Sequence, residues 1–239
     1  MATMTLDELV SQLNKAYGAE LRAVVLYGSA ASGEHIPKRS DYNVLVIADG
    51  LDAARLRGAA AVARAWADGG NPPPLTLTSA EWKSSSDIFP MEYADILERH
   101  RMLHGAPPFD GISVSKGDLR LQVEREAMGK LLHFRQGVLA AGNDNKRQLA
   151  LLEASLSAIM VVFRGVARLA GVVASPDNVT LSQVIAGRAG FDAAPFVRVV
   201  QHVRGDAVLA ARDAEQVIAG YLDALEQLVA FIEQLPHAD

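Results

Sequence analysis

The chain has 239 residues, of which half are hydrophobic and 21% are charged, as in one large or two small globular domains. It contains no cysteine, which excludes disulfides, thiolate catalysis and cysteine-ligated zinc. The net charge of −5 argues against DNA or RNA as the main partner. An uninterrupted apolar run of about 18 residues is absent and the N-terminus is acidic, so we expect a cytoplasmic protein without a membrane span.

The first part of the chain alternates between helical and strand-like segments. The predicted elements are, in chain order, a helix over 5–18, strands over 22–27 and 41–48, a helix over 51–68, a strand over 75–78, a helix from 79, and strands over 89–97 and 102–104. Thr5 and Glu8 have the spacing of a capping box at the first helix. The alternation predicts a small mixed sheet with helices on it, in a domain over residues 1–110.

From about residue 117 the apolar spacing is almost purely helical. Apolar residues recur at three- and four-residue spacing over 118–141, 146–170, 181–189, 195–204 and 207–235. These segments predict an all-α helical bundle over residues 117–239, after a boundary between Pro107 and Gly117. The predicted fold class is therefore α+β, with a sheet domain followed by a bundle domain.

Polar residues with metal- and phosphate-binding chemistry lie between the first two predicted strands. Gly28-Ser29 follows the first strand, and backbone N–H groups of such a turn at a helix start can hold phosphate. Asp41 and Asn43 open the second strand and point to the same face, because strand side chains alternate. A carboxylate and a second oxygen ligand beside a phosphate can hold Mg²⁺, so Asp41 and Asn43 are the candidate metal ligands.

The loop before Asp41 adds Lys38, Arg39 and Ser40 as candidate phosphate contacts. A local basic pair beside a phosphate site suits a nucleotide better than a polynucleotide. Solvated loop charges at Lys38 and Arg39, a ligand-free turn at Gly28-Ser29 and a turn-capping role for Asp41 are the alternatives that remain open.

The order of Gly-Ser, a spacer and Asp-x-Asn resembles the signature of the polymerase-β-like nucleotidyltransferase superfamily, in which Gly-Ser precedes Asp-x-Asp or Asp-x-Glu. The helical second part is similar to that of aminoglycoside nucleotidyltransferases such as the kanamycin enzyme. The resemblance implies that Gly28 and Ser29 bind a triphosphate and that Asp41 bridges metal ions. It implies Mg²⁺ as cofactor, a nucleoside triphosphate and a small-molecule or protein acceptor as partners, and in-line transfer of a nucleoside monophosphate. A homo-oligomer stays open.

Asn43 stands where the family has its second carboxylate, and an amide supplies no charge to offset a second metal ion. The family's third carboxylate is expected on the strand over 75–78, which contains none. Glu92 and Asp95, on the next predicted strand, differ by three positions and would face opposite sides, so at most one would reach the site. We prefer Glu92, with a surface charge as the alternative.

The resemblance also implies a glutamate base from the helical part, for which Glu124 or Glu126 has the nearest position, while a solvated helix face is the alternative reading. The sequence therefore predicts a nucleotide-binding protein of nucleotidyltransferase type with a degenerate metal site. It either transfers a nucleoside monophosphate slowly to a hydroxylated acceptor or is a catalytically inactive ligand- or partner-binding protein.

Overall fold

The structure, a computed structural model, describes residues 4–31 and 42–235. The chain divides into an N-terminal unit, Met1–Val114, and a helical unit, Ser115–Asp239. The elements of the N-terminal unit are α1 Leu6–Tyr17, β1 Leu21–Tyr27, β2 Asn43–Ala48, α2 Ala53–Asp68, β3 Leu75–Leu77, α3 Ser79–Ser84, α4 Pro90–Glu98 and β4 His100–Gly105.

The four strands form one mixed sheet in the order β3-β2-β1-β4. β1 pairs antiparallel with both β2 and β4, and β3 pairs parallel with β2. In the β1–β2 ladder, Tyr27 at the end of β1 lies opposite Asn43 at the start of β2. The predicted mixed sheet with helices is thereby confirmed.

Helices cover both faces of the sheet. α1 and α2 pack on one face, where the buried residues are Leu9, Leu13, Val24, Leu26, Val44, Val46, Val62 and Trp66. α3 and α4 pack on the other, where the buried residues are Ala23, Val25, Leu45, Ile47, Trp82, Tyr93 and Ile96. Tyr27 packs with this second group, and Asn43 shares its face because residues opposite each other in an antiparallel pair point the same way.

The segment 89–97, predicted as a strand, is the helix α4. Pro90 occupies the first turn, where its missing N–H is not needed and its fixed φ favours a helix. The buried residues recur at three-residue spacing as Pro90, Tyr93 and Ile96, and as Met91 and Ala94. The helix changes the expected geometry of Glu92 and Asp95, because residues three apart lie on the same side of a helix.

The helical unit contains α5 Lys116–Ala141, α6 Asn145–Leu169, α7 Asn178–Ala189, α8 Ala194–Arg204 and α9 Ala214–Gln234. Its core includes tilted and edge-on aromatic contacts, with Phe196 at 4.2 Å from Tyr221 and at 4.9 Å from Phe163 between ring centroids. The last helix begins at Ala214, after the 3₁₀ turn Ala211–Asp213, rather than near residue 207 as predicted. The helical region after the sheet is confirmed.

Within the described part of the chain, α6 is the one helix that is long and apolar enough to cross a membrane by length and composition. The prediction from uninterrupted apolar runs did not single it out. Its buried residues include Leu152, Ile159, Phe163 and Val166, which pack inside the helical unit. Core packing therefore accounts for its apolar composition.

Candidate functional site

Three elements of the N-terminal unit meet at Gly28, directly after β1. Gly28 has a φ of +75°, which an L side chain rarely adopts. A Cβ built on Gly28 would lie 3.4 Å from Nδ2 of Asn43 on β2 and 3.9 Å from Oδ2 of Asp95 on α4. The glycine thus leaves room where the start of β2 and one face of α4 converge.

The backbone of Gly28 is engaged in the fold. Its N–H donates to the carbonyl oxygen of Arg99 at 3.1 Å, and its carbonyl accepts from the N–H of Ala31 at 3.1 Å. The second bond closes the single 3₁₀ turn Gly28–Ala30 in place of a longer helix. A phosphate at this turn would therefore meet donors other than the Gly28 amide, and the phosphate-binding role of Gly28 and Ser29 stays a prediction.

Asp95 is already paired with a cation. Its Oδ1 accepts from Nη2 of Arg99 at 2.5 Å, and the two side chains are 20% and 11% exposed. Nε of Arg99 is buried and has no hydrogen-bond partner. The carboxylate nearest to Gly28 and Asn43 thus belongs to a largely buried ion pair with unused donor capacity.

Glu92 also lies near the end of β1, as its effect on Tyr27 indicates. Burial and, to a smaller extent, the negative charges of Glu92 and Asp95 together raise the pKa of Tyr27 to about 12. A phenol responds to both carboxylates only when both lie near it, so Glu92 and Asp95 face the end of β1 together. The expectation that only one of them could do so is wrong, because it rested on a strand where the chain forms a helix.

No protein-family model matches the chain, and no curated protein matches it. Among solved structures, the chain is similar to that of spectinomycin adenyltransferase AAD(9) from Enterococcus faecialis with ATP and spectinomycin. The TM-score is 0.60, with 9% sequence identity, over 94% of this chain and 99% of that one. The chain has a nucleotidyltransferase fold. The small mixed sheet with helices and the helical region after it agree with the predicted fold, and the low identity shows the fold alone.

Several predicted site residues of this nucleotidyltransferase fold lie outside the described part of the chain. They are Lys38, Arg39, Ser40 and Asp41. Their proposed contacts with phosphate and metal stay predictions. Among the described residues, the site is therefore defined by Tyr27, Gly28, Asn43, Asp95 and Arg99.

The two glutamates considered as a base lie on α5 in the helical unit. Glu124 is 3.7 Å from Nη2 of Arg120, and Glu126 is 3.2 Å from Nζ of Lys130. Each pair joins side chains four residues apart on α5, and Arg120 of the first pair is buried. A catalytic role for Glu124 or Glu126 stays a prediction.

A two-metal centre does not fit the described residues of this nucleotidyltransferase fold. Within residues 4–31 and 42–235, no group of three or more His, Asp or Glu side chains is placed to hold a metal ion. Asn43 offers a neutral carbonyl oxygen, and Asp95 is bound to Arg99. This donor set suits one Mg²⁺ that takes most of its ligands from a nucleotide, since Mg²⁺ in such sites is bound through one or two carboxylates and substrate phosphates.

Sequence reasoning missed Tyr27 and Arg99. The signal for Arg99 was present, because Asp95 and Arg99 are four residues apart and form an ion pair only if the segment is helical. Tyr27 is the last residue of the predicted strand over 22–27. Its place at the site follows from its register opposite Asn43.

Proposed function

We propose that the chain binds a nucleoside triphosphate beside the turn at Gly28 and Ser29 and transfers its nucleoside monophosphate slowly to a hydroxylated acceptor. The supporting observation is the convergence of Gly28, Asn43 and Asp95 in a nucleotidyltransferase fold. The similar spectinomycin adenyltransferase was solved with ATP and spectinomycin, which supports a nucleotide and a small polar acceptor as the ligand classes.

The residues near Gly28 would have different roles in binding the triphosphate. Asn43, with Asp41 as the motif implies, would hold one Mg²⁺, which would neutralise part of the triphosphate charge. The close approach at Gly28 leaves space beside the strand ends, and a side chain there would fill it. Glu92 and Asp95 bring negative charge to the end of β1, near Tyr27.

Slow transfer follows from the missing carboxylate at Asn43. Electrostatic stabilisation of developing charge is commonly the largest contribution to catalysis, and removing one preorganised group costs about 3–4 kcal/mol. That loss corresponds to turnover slower by about 10²–10³. The ion pair of Asp95 with Arg99 favours a second candidate, a catalytically inactive nucleotide-binding protein, because Arg99 balances the charge of Asp95 and weakens its attraction for a metal ion.

The test is thermal denaturation with ATP, GTP, CTP or UTP, each with and without MgCl₂, followed by a pyrophosphate-release assay with aminoglycosides and spectinomycin. A triphosphate at about 100 times its Kd stabilises the folded state by about 2.7 kcal/mol. Ser29→Ala should reduce this stabilisation, whereas Ser84→Ala, at an exposed position of α3, should leave it unchanged.

Binding with slow pyrophosphate release supports the transferase, and binding without release supports the inactive protein. Fast turnover would show that Asn43 is a competent metal ligand and that the weakened-site reasoning is wrong. If no triphosphate changes the melting temperature, the proposal of a nucleotide site fails.

A further inference from the structure

We propose that Arg99 supplies the positive charge that a second metal ion would otherwise bring, so that this site binds a triphosphate with one divalent ion or none. The inference rests on the proposed nucleotide-binding function and assigns to Arg99 a direct contact with phosphate. It concerns the class of ligand and the metal requirement of the site.

Arg99 is tied to the site through both its main chain and its side chain. Its carbonyl oxygen accepts the N–H of Gly28 at 3.1 Å, and its Nη2 donates to Oδ1 of Asp95 at 2.5 Å. The other oxygen of Asp95 lies 3.9 Å from where a Cβ of Gly28 would be. The guanidinium and the turn at Gly28 therefore border the same carboxylate.

Arg99 is largely buried, as is Arg120 of α5, whose side chain is 7% exposed. The side chain of Arg99 is 11% exposed, whereas those of Arg204, Arg135 and Arg22, which form ion pairs of similar length, are 27%, 45% and 54% exposed. Nε of Arg99 is buried without an acceptor. A buried N–H without a partner is unfavourable, so a ligand oxygen that accepts from this guanidinium gains binding free energy.

The charge of the site agrees with an organic cation in the place of a metal ion. Asn43 is neutral, and Asp95 has its charge balanced by Arg99, so neither of the two side chains next to Gly28 brings net negative charge for a second divalent ion. A guanidinium presents five N–H donors in a planar fork that matches phosphate as well as carboxylate. It can keep Asp95 on one side and bind a phosphate oxygen on the other.

The test measures the Kd for ATP by calorimetry in EDTA and in MgCl₂, for the wild type, Arg99→Gln and Arg99→Lys. Arg204→Gln is the matched control, because it removes an arginine from another Arg–Asp pair, at 2.6 Å, in the helical unit. We expect the wild type and Arg204→Gln to bind ATP in EDTA. Arg99→Gln should weaken that binding by about 10- to 100-fold, the size expected for one charge-assisted hydrogen bond, and Arg99→Lys should lose less.

Arg99→Gln leaves Asp95 without its partner, so the double variant Asp95→Asn/Arg99→Gln separates phosphate binding from folding. Circular dichroism and thermal denaturation establish that each variant is folded. If Arg99 acts only by pairing with Asp95, the double variant should recover ATP binding in EDTA. If Arg99 contacts the phosphate directly, the double variant should still bind ATP weakly in EDTA.

Two results would overturn the inference while leaving the nucleotide site intact. One is unchanged ATP binding in EDTA by Arg99→Gln or by the double variant. The other is binding of two Mn²⁺ per ATP complex in the wild type, counted by electron paramagnetic resonance. A wild type that binds ATP neither in EDTA nor in MgCl₂ would instead remove the proposed function, and the role of Arg99 with it.

Discussion

Restoring a carboxylate at position 43 tests the geometry around Gly28 directly. Asn43 Nδ2 and Asp95 Oδ2 both lie within 4 Å of the Cβ position of Gly28. In Asn43→Asp the two carboxylates would therefore be at most about 7 Å apart, where Coulomb's law with an effective dielectric constant of about 20 gives a repulsion of about 2 kcal/mol. Arg99 offsets part of it, so we expect the free energy of unfolding at pH 8 to fall by about 1 kcal/mol without metal.

The assay is urea denaturation of the wild type and of Asn43→Asp at low ionic strength, in EDTA and in MgCl₂. A divalent ion between the carboxylates would relieve their repulsion, so MgCl₂ should restore more stability to the variant than to the wild type. Asn143→Asp is the control, since Asn143 is an exposed residue of the turn between α5 and α6. It adds the same charge away from the site.

A variant as stable as the wild type in EDTA, with no added response to MgCl₂, would refute the reasoning. It would show that the side chains at positions 43 and 95 do not face each other. A loss of stability in Asn143→Asp equal to that in Asn43→Asp would assign the effect to net charge alone.

Three further substitutions, one of them with a matched control, test the N-terminal unit around the site. Gly28→Ala should lower the free energy of unfolding by about 1–2 kcal/mol, because its φ is +75°, whereas Gly58→Ala, in the interior of α2 with open space around it, should raise it by about 0.5–1 kcal/mol. Folding raises the pKa of Tyr27 from 10 to about 12, so its contribution to stability is complete below pH 10 and is lost as the pH rises toward 12. In urea denaturation, Tyr27→Phe should therefore remove up to about 2–3 kcal/mol of the wild type's decline over this range. Thr78→Ala should lower stability by about 1 kcal/mol, because Thr78 caps α3 in a capping box with Glu81.

The strands and the first helix could be predicted because their signals are local. β1 and the start of β2 are apolar runs bounded by polar turns, and the predicted capping box of α1 is present, with Thr5 accepting from the N–H of Glu8 at 3.2 Å and donating its own N–H to the Glu8 carboxylate at 2.8 Å. Such signals depend on residues a few positions apart. They can therefore be recognised in the sequence without knowledge of the tertiary structure.

The site could be predicted only in part, because Asp95 of α4 is far in the sequence from Gly28 and Asn43, beside which it lies. Gly28 and Asn43 follow from the motif, but nothing near them in the sequence places Asp95 beside them. The error at α4 made this worse, since reading 89–97 as a strand assigned Glu92 and Asp95 to opposite faces. With Pro90 read as a helix start, both carboxylates and the Asp95–Arg99 pair would have followed from helical spacing.

Asp95 lies on the helix α4 and not on a strand, and this affects its ability to bind a metal ion. β3, with Leu75, Thr76 and Leu77, offers no acidic group, and the acid beside Gly28 comes instead from α4. A helix places the residue four positions later next to that acid, and the C-terminal end of a helix carries a partial negative charge that stabilises a cation there. Arg99 is the C-cap of α4, so one helix carries both Asp95 and the guanidinium that pairs with it. A metal that binds Asp95 competes for its charge with a guanidinium held by a charge-assisted hydrogen bond, which contributes about 1.5–3 kcal/mol.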